Sequence, residues 1–176
     1  GVAPADGAGV DVALAVGETV IAIVVTAADG ETAATYSVTV TRAAAPGPPL
    51  FAAVYNGDFE LDDALSGWNG HGGTLGATAG LTGTRAARLA SASTSTKWID
   101  QPVGVTPGAW YAASAWLAPD GGVDAAWLRV AWYASADGSG PQLATADSAA
   151  LAGGAGATAA ATGTVQAPAG AASARV

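Results

Sequence analysis

The sequence predicts an all-β protein, namely an antiparallel β-sandwich preceded by part of a second β-sandwich module. Short runs with two-residue alternation, rich in β-branched and aromatic residues, recur along most of the chain. Glycine-rich turns separate these runs, and 25 of the 176 residues are glycine. No long stretch shows the 3.6-residue period of a helix, which favours a sandwich over a mixed fold.

The first module, residues 1–42, has the pattern of a strand, a turn and a second strand. Residues 20–25 are apolar at both parities, which is typical of a strand buried between two layers. Asp29 and Gly30 follow, and this pair tolerates the positive φ that tight hairpin turns need. Residues 36–41 alternate large apolar and hydroxyl side chains, as expected of the return strand.

This hairpin, from Gly17-Glu18-Thr19 to the return strand that ends at Arg42, is similar to the end of a cadherin-like β-sandwich domain. The resemblance implies a module of the kind found as tandem repeats in large bacterial surface proteins. A whole domain of this type needs about twice the length, so the opening strands are expected to be missing. A half sandwich exposes an edge and an apolar face, so we expect the residues before the linker to be partly covered by neighbours or less ordered than the rest of the chain.

Residues 43–52 are predicted to form a linker between the two modules. The motif Pro46-Gly47-Pro48-Pro49 fixes several φ angles and removes backbone donors, so the segment cannot join a sheet ladder. It predicts a short and rather stiff spacer.

The second module, residues 53–176, is predicted to form a β-sandwich that lacks only its closing strand. The alanine-rich tract at residues 144–161 contains interspersed glycine and threonine and few charges, which favours loop and weak strand over helix. The chain stops at Val176 inside what is expected to be another strand. We therefore expect an excerpt of a longer polypeptide, with any export signal upstream.

Alternation along three predicted strands separates a core face from an outward face. The core faces are apolar and include Tyr111 and Trp132. The outward faces combine aromatic with polar side chains, a mixture that a core does not need and a sugar site does. They carry the candidate ligand-binding residues Trp98, Asp100, Trp116, Trp127, Arg129 and Tyr133.

Four short motifs occur in a fixed order in the second module: Asn56-Gly57-Asp58-Phe59-Glu60, Gly67-Trp68, Trp98-Ile99-Asp100-Gln101 and residues 107–116. In this order and spacing they resemble the carbohydrate-binding modules with a galactose-binding-like jelly-roll fold. The resemblance implies a domain that binds a polysaccharide or glycan and does not catalyse.

The same resemblance implies a structural Ca²⁺ as the one candidate cofactor. Asp58 and Glu60 match the opening motif, and carbonyl groups near Gly83 and Thr84 are further oxygen donors. Hard cations take six to eight oxygen ligands, so two carboxylates alone do not make a site. Two other interpretations stay open, in which Asp58 is a solvated turn residue and Glu60 pairs with a neighbouring arginine.

Composition and motifs exclude several classes of function. The net charge of −8, with only six Lys and Arg, disfavours a nucleic-acid partner, and no apolar run is long enough for membrane insertion. Cysteine is absent, so neither disulfides nor thiolate metal sites form. The single histidine, His71, lies among glycines, and no Gly-x-Ser-x-Gly motif is present, so no enzyme is predicted.

The sequence therefore predicts a non-catalytic carbohydrate-binding module of a secreted or cell-surface multidomain bacterial protein, with neighbouring domains of the same polypeptide as further partners. The alternative is a structural spacer or adhesion module without a ligand of its own. Solvent exposure of Trp98, Trp116 and Trp127 distinguishes the two hypotheses.

Overall fold

The computed structural model of the chain describes residues 12–43, 54–81 and 83–176. The chain divides into two compact units, Gly1–Ala45 and Pro46–Val176. Every regular element in the described ranges is a β-strand, which confirms the predicted all-β class. The same ranges hold no helix with the length and hydropathy to cross a membrane. Most of the predicted linker, 43–52, lies outside the described residues.

The strands are numbered in chain order. They are β1 (Gly17–Thr26), β2 (Ala33–Arg42), β3 (Asn69–His71), β4 (Thr74–Ala79), β5 (Arg85–Ala90), β6 (Trp98–Asp100), β7 (Pro102–Gly104), β8 (Trp110–Leu117), β9 (Ala125–Ala126), β10 (Arg129–Tyr133), β11 (Gln142–Asp147), β12 (Leu151–Ala152), β13 (Thr158–Gln166) and β14 (Ser173–Arg175).

In the first unit, β1 and β2 form an antiparallel hairpin in continuous register from the Gly17–Arg42 pair to the Thr26–Ala33 pair. The turn is closed by the Asp29 carboxylate, which accepts hydrogen bonds from the backbone amides of Glu31 (3.0 Å) and Thr32 (2.9 Å). Three hydrogen bonds from Glu31 and Thr32 lower the pKa of Asp29, the Thr32 hydroxyl contributing most. The predicted hairpin is thus present, with its turn fixed by one side chain.

The apolar residues of β1 are exposed, although the sequence predicts a strand buried between two layers. Val20 and Val24 on one face, and Ile23 and Val25 on the other, all lie open to solvent. The reason is that the described part of this unit forms a two-stranded sheet with no second layer against either face. The expectation of burial is therefore wrong for the structure described.

The second unit is built around a four-stranded antiparallel sheet in the order β11-β10-β14-β7. β6 and β7 follow each other along the same edge of the sheet. Gln101, which lies between them, forms two backbone hydrogen bonds with Val176, the residue after β14. β6 in turn pairs with β3. The short strands β3 and β6 thereby extend the edge of this sheet.

A second layer, the β8–β13 pair, packs against this sheet through the core. The rings of Tyr111 on β8 and Trp132 on β10 meet at 5.6 Å with a tilt of 50°. Both residues were predicted to be core residues, and both are buried. The buried cluster around them consists of Val103, Tyr111, Val130, Trp132, Ala167, Ala171 and Ala174.

The alanine-rich tract forms strands and turns, as predicted from its glycine and threonine content. β11, β12 and β13 occupy it, and a β-bulge interrupts the pairing of β13 with β8 between Ala161 and Thr164. Two further pairs, β4–β5 and β9–β12, complete the described strands.

Candidate ligand-binding site

The outer face of the large sheet carries a stacked pair of rings at its β3–β6 edge. His71 on β3 lies directly opposite Trp98 on β6, and their rings stack at 4.8 Å with 14° between planes. Cross-strand neighbours on one face are close enough for such contacts. Trp98 remains 49% exposed, so the outer side of its indole is open to a ligand.

A second stacked pair lies on the neighbouring strands of the same face. Because Trp132 and Ala174 point into the core, Tyr133 on β10 and Arg175 on β14 point outward. The guanidinium of Arg175 lies 5.6 Å from the ring centroid of Tyr133, which is the range of a cation–π contact.

Asp100 joins the two stacked pairs. One carboxylate oxygen, Oδ1, lies 2.6 Å from Nε2 of His71, and the other, Oδ2, lies 3.6 Å from Nη1 of Arg175. The residue is only 4% exposed. His71, Trp98, Asp100, Tyr133 and Arg175 are hereafter called the outer-face cluster.

The buried polar atoms of the outer-face cluster face one another. In the described ranges these atoms are His71 Nε2, Asp100 Oδ1, Asp100 Oδ2 and Arg175 Nε, and none of them is hydrogen-bonded to a group outside the cluster. The 2.6 Å between Asp100 Oδ1 and His71 Nε2 is a hydrogen-bonding distance, whereas the 3.6 Å between Asp100 Oδ2 and Arg175 Nη1 is an ion-pair distance. The cluster is therefore held together by contacts among its own side chains.

The loop between β10 and β11 closes one side of the cluster. Ser173 on β14 is fully buried, and its hydroxyl donates a hydrogen bond of 2.6 Å to the carbonyl of Ser135. Gly138, with φ of 72°, lies against Arg175, where an added Cβ would be 2.8 Å from Nε. Glycine is therefore required for this close approach.

A separate polar and aromatic group, Trp127, Arg129 and Asp147, lies elsewhere on the outer face of this sheet. The guanidinium of Arg129 lies 5.8 Å from the ring of Trp127 and donates two hydrogen bonds of 2.6 Å to Asp147. This side-chain hydrogen bonding raises the pKa of Arg129 and lowers the pKa of Asp147. Arg129 is thus already paired within the protein, unlike Arg175 Nε.

Trp116 does not join these residues, although the sequence predicts all six candidates on one sheet. It lies on β8, which pairs with β13 in the other layer. Because Tyr111 of β8 and Trp132 of β10 both point into the shared core, the outward faces of their strands lie on opposite sides of the sandwich. Trp116 is 59% exposed, as predicted, but on the wrong sheet for a shared site.

Asp100 occupies the predicted face but is buried, where the sequence predicts an accessible polar residue. Strand parity places it correctly beside Trp98, and His71 and Arg175 then cover it from both sides. Sequence reasoning missed both of these residues as site residues. Strand alternation could have identified Arg175, since it lies between the apolar residues Ala174 and Val176. His71 could not have been identified in this way, because no local pattern predicts the pairing of β3 with β6.

The proposed calcium ligands Asp58 and Glu60 are used in local hydrogen bonds. The Glu60 carboxylate accepts hydrogen bonds from the Thr84 hydroxyl and from the Arg85 amide (2.9 Å), which lower its pKa. Asp58 accepts one from the Glu60 amide (3.3 Å). The described residues hold no group of three or more acidic or histidine side chains placed to bind a metal. As arranged, these residues do not fit a six- to eight-oxygen calcium site.

The opening loop of the second unit, residues 55–68, has a structural role in this arrangement. Trp68 donates a hydrogen bond of 3.0 Å from Nε1 to the carbonyl of Asn56 and packs against Phe59 at 5.2 Å. The Asn56 amide donates to the Ala64 carbonyl at 3.0 Å, and Gln101 bridges to Tyr55. These contacts hold the loop and leave Trp68 partly buried.

Comparison with known protein families gives a match to the cadherin-like beta sandwich domain at residues 1–43. The match spans the first compact unit and none of the second. Neither the curated proteins nor the solved structures give a match to the chain. The similarity indicates a surface or adhesion-type module, because domains of this kind are typical of extracellular or surface proteins, and with the all-β fold it suggests a non-catalytic role.

Proposed function

We propose that residues 53–176 form a non-catalytic glycan-binding module of a secreted or cell-surface bacterial protein, with the outer-face cluster as its binding site. One observation carries the proposal. The exposed indole of Trp98 stacks on His71, and Asp100 joins His71 to Arg175, so an open aromatic face lies beside partly exposed polar side chains.

This combination suits a saccharide for two physical reasons. The flat indole of Trp98 offers a stacking surface to the apolar face of a sugar ring. The partly exposed side chains of His71 and Arg175 offer donors to sugar hydroxyl groups, and specificity in small-molecule sites comes from a few such placed polar groups.

A catalytic interpretation of the same residues is less well supported. The close approach of Asp100 to His71 resembles a base with its orienting carboxylate, an arrangement that serves a nucleophile in hydrolytic enzymes. In the part of the chain that the structure describes, no serine or threonine hydroxyl hydrogen-bonds His71. Binding is therefore the function that these contacts favour.

The experiment is a screen of the purified chain against soluble glycans, followed by calorimetric titration of each glycan that binds. We expect Trp98→Ala to weaken binding at least about tenfold, because stacking on this indole is lost. Trp116→Ala is the matched control: it removes an indole of comparable exposure from the other sheet, and we expect its affinity to equal that of the wild type.

Two results would contradict the proposal. One is the absence of binding to any glycan by a protein whose circular dichroism is that of a folded β-sandwich. The other is equal loss of affinity in Trp98→Ala and Trp116→Ala, which would place the site away from the outer-face cluster.

A second candidate function, a spacer or adhesion module without a ligand, is favoured by the first unit. β1 and β2 expose apolar residues on both faces, including Val24 and Tyr36, and such surfaces are normally covered by neighbouring domains. This role predicts that Trp98 becomes protected from acrylamide quenching when neighbouring domains of the polypeptide are present.

A further inference from the structure

We propose that Asp100 is a positioning residue, which holds His71 against Trp98 and Arg175 against Tyr133, and that His71 and Arg175 are the ligand-contacting polar residues of the site. This inference rests on the proposed glycan-binding function. It assigns roles to His71 and Arg175, and it changes the role of Asp100 from ligand contact to support.

Solvent accessibility distinguishes the positioning residue from the ligand-contacting residues. The side chain of Asp100 is 5% exposed, and both carboxylate oxygens are buried, so a ligand cannot reach them while the cluster keeps this arrangement. The side chains of His71 and Arg175 are 35% and 32% exposed. A ligand on the outer face therefore meets the imidazole and the guanidinium and not the carboxylate.

The contacts of Asp100 explain why both side chains keep their orientation. His71 is at the end of the three-residue strand β3, between glycines on both sides, so its backbone alone restrains the ring little. The carboxylate at 2.6 Å from Nε2 restrains it and keeps the ring parallel to Trp98. The indole of Trp98 is thereby held with one face against the imidazole and the other face open.

Arg175 is restrained in the same way from the opposite side. Asp100 Oδ2 attracts Nη1 at 3.6 Å, Tyr133 lies under the guanidinium, and Gly138 of the β10–β11 loop contacts its stem. These three contacts fix the orientation of the guanidinium, and because Nε is buried, a ligand reaches the guanidinium through its Nη groups. A donor that is fixed before binding loses little entropy when a ligand hydroxyl accepts from it.

The charges around the cluster are compatible with this arrangement. Asp100 is the one acidic residue in contact with His71 and Arg175 among the described residues, and Asp147 is occupied by Arg129. The carboxylate thus offsets the positive charge of the guanidinium and leaves its hydrogen-bonding capacity in place. We infer that the site prefers uncharged saccharides, because the chain as a whole carries a net charge of −8 and repels anionic polymers.

The first test needs no ligand. His71 is the only histidine of the chain, so its ring protons are assigned in an NMR spectrum without ambiguity. In the wild type, stacking on Trp98 is expected to shift these signals upfield of free histidine. In Asp100→Asn, the shift is expected to decrease because the ring is no longer held. Asp147→Asn, which breaks an Asp–Arg pair elsewhere on the same sheet, is expected to leave the His71 signals unchanged.

The second test uses a glycan that binds the wild type. Asp100→Asn is expected to weaken its affinity about tenfold, and His71→Ala and Arg175→Gln by a similar factor, since each loses a hydrogen bond to the ligand or its support. Raising the salt concentration from 50 to about 300 mM is expected to change the affinity less than twofold, because an uncharged ligand is not screened.

The outcomes separate this inference from the proposed function. His71 signals without an upfield shift in the wild type, or with the same shift in Asp100→Asn, overturn the positioning role even if a glycan binds. If Asp100→Asn fails to fold, Asp100→Ser replaces it, and the same comparison of the His71 signals decides. Shifted signals together with no glycan binding would confirm the arrangement and contradict the proposed function, and tighter binding of acidic glycans would overturn the stated ligand class.

Discussion

Trp132 and Tyr133 are neighbours in β10, and their rings lie on opposite sides of the sheet. Trp132 is 2% exposed and meets Tyr111 in the core, while Tyr133 lies on the outer face beneath Arg175. The alternation of a β-strand makes this arrangement possible within two residues. The position of a site residue is thereby fixed by the packing of the residue before it.

Replacing Trp132 with alanine is expected to destabilise the second unit by about 3 to 5 kcal/mol, because a large buried ring leaves a cavity. The measurement is the free energy of unfolding from urea denaturation. Trp116→Ala is the control and is expected to change stability by less than about 0.5 kcal/mol, since Trp116 is exposed. Equal losses in the two variants would contradict the assignment of Trp132 to the core.

Gly67→Ala is expected to be more destabilising than Gly140→Ala, although both glycines have positive φ. The backbone strain alone costs about 1 to 2 kcal/mol in each variant. At Gly67 an added Cβ would also lie 2.7 Å from the Tyr55 ring and 2.9 Å from Gln101, whereas at Gly140 nothing lies within 4 Å. Urea denaturation measures the difference in stability between the two variants. Equal stabilities would show that the contacts of the added Cβ with Tyr55 and Gln101 do not destabilise Gly67→Ala.

Gln101→Glu is expected to cost about 2 kcal/mol or more at neutral pH. The buried amide of Gln101 donates to the carbonyls of Tyr55 (2.9 Å) and Gly67 (3.0 Å), and a carboxylate would face both oxygens without a donor. The cost should decrease as the pH is lowered, because burial raises the pKa of the glutamate, which then becomes protonated and donates again. Gln142→Glu, on exposed β11, is the matched control and should be nearly neutral over the same pH range.

Stability is expected to fall as the solution is acidified below about pH 4. The Arg129 hydrogen bonds lower the pKa of Asp147, so the carboxylate stabilises the fold above its unfolded-state pKa, and this contribution is lost as the pH falls through the folded-state value. Because Asp147 is more than a third exposed, the contribution is under about 1 kcal/mol. Asp147→Asn should be less stable at pH 7 and less sensitive to acid, as measured by thermal unfolding between pH 7 and pH 2.

Strand alternation predicted most of the core and part of the site. It separated Tyr111 and Trp132 from the outward Trp98, Trp116 and Tyr133, because each of these residues lies in a strand with an apolar side. Parity is a local property, and the side chains of Trp132 and Tyr133 alternate even though the pairing of β10 with β11 shifts register between them. The class of fold follows from the same pattern.

Strand alternation could not predict which sheet each strand joins. Trp116 was grouped with Trp98 because both point outward, yet pairing with β13 places it in the other layer. The burial of Asp100 also depends on two residues that are far apart in the chain, His71 on β3 and Arg175 on β14. Local alternation carries no information on such long-range pairing.

The place of β14 in the sheet has a consequence for biosynthesis. It follows every other described strand in the chain and yet lies between β10 and β7, where Ser173 and Ala174 are almost completely buried. A ribosome must therefore release this segment before the sheet acquires its middle strand. The sheet of the second unit should be completed only after this segment leaves the ribosome, and nascent chains stalled ahead of Ser173 should remain sensitive to protease.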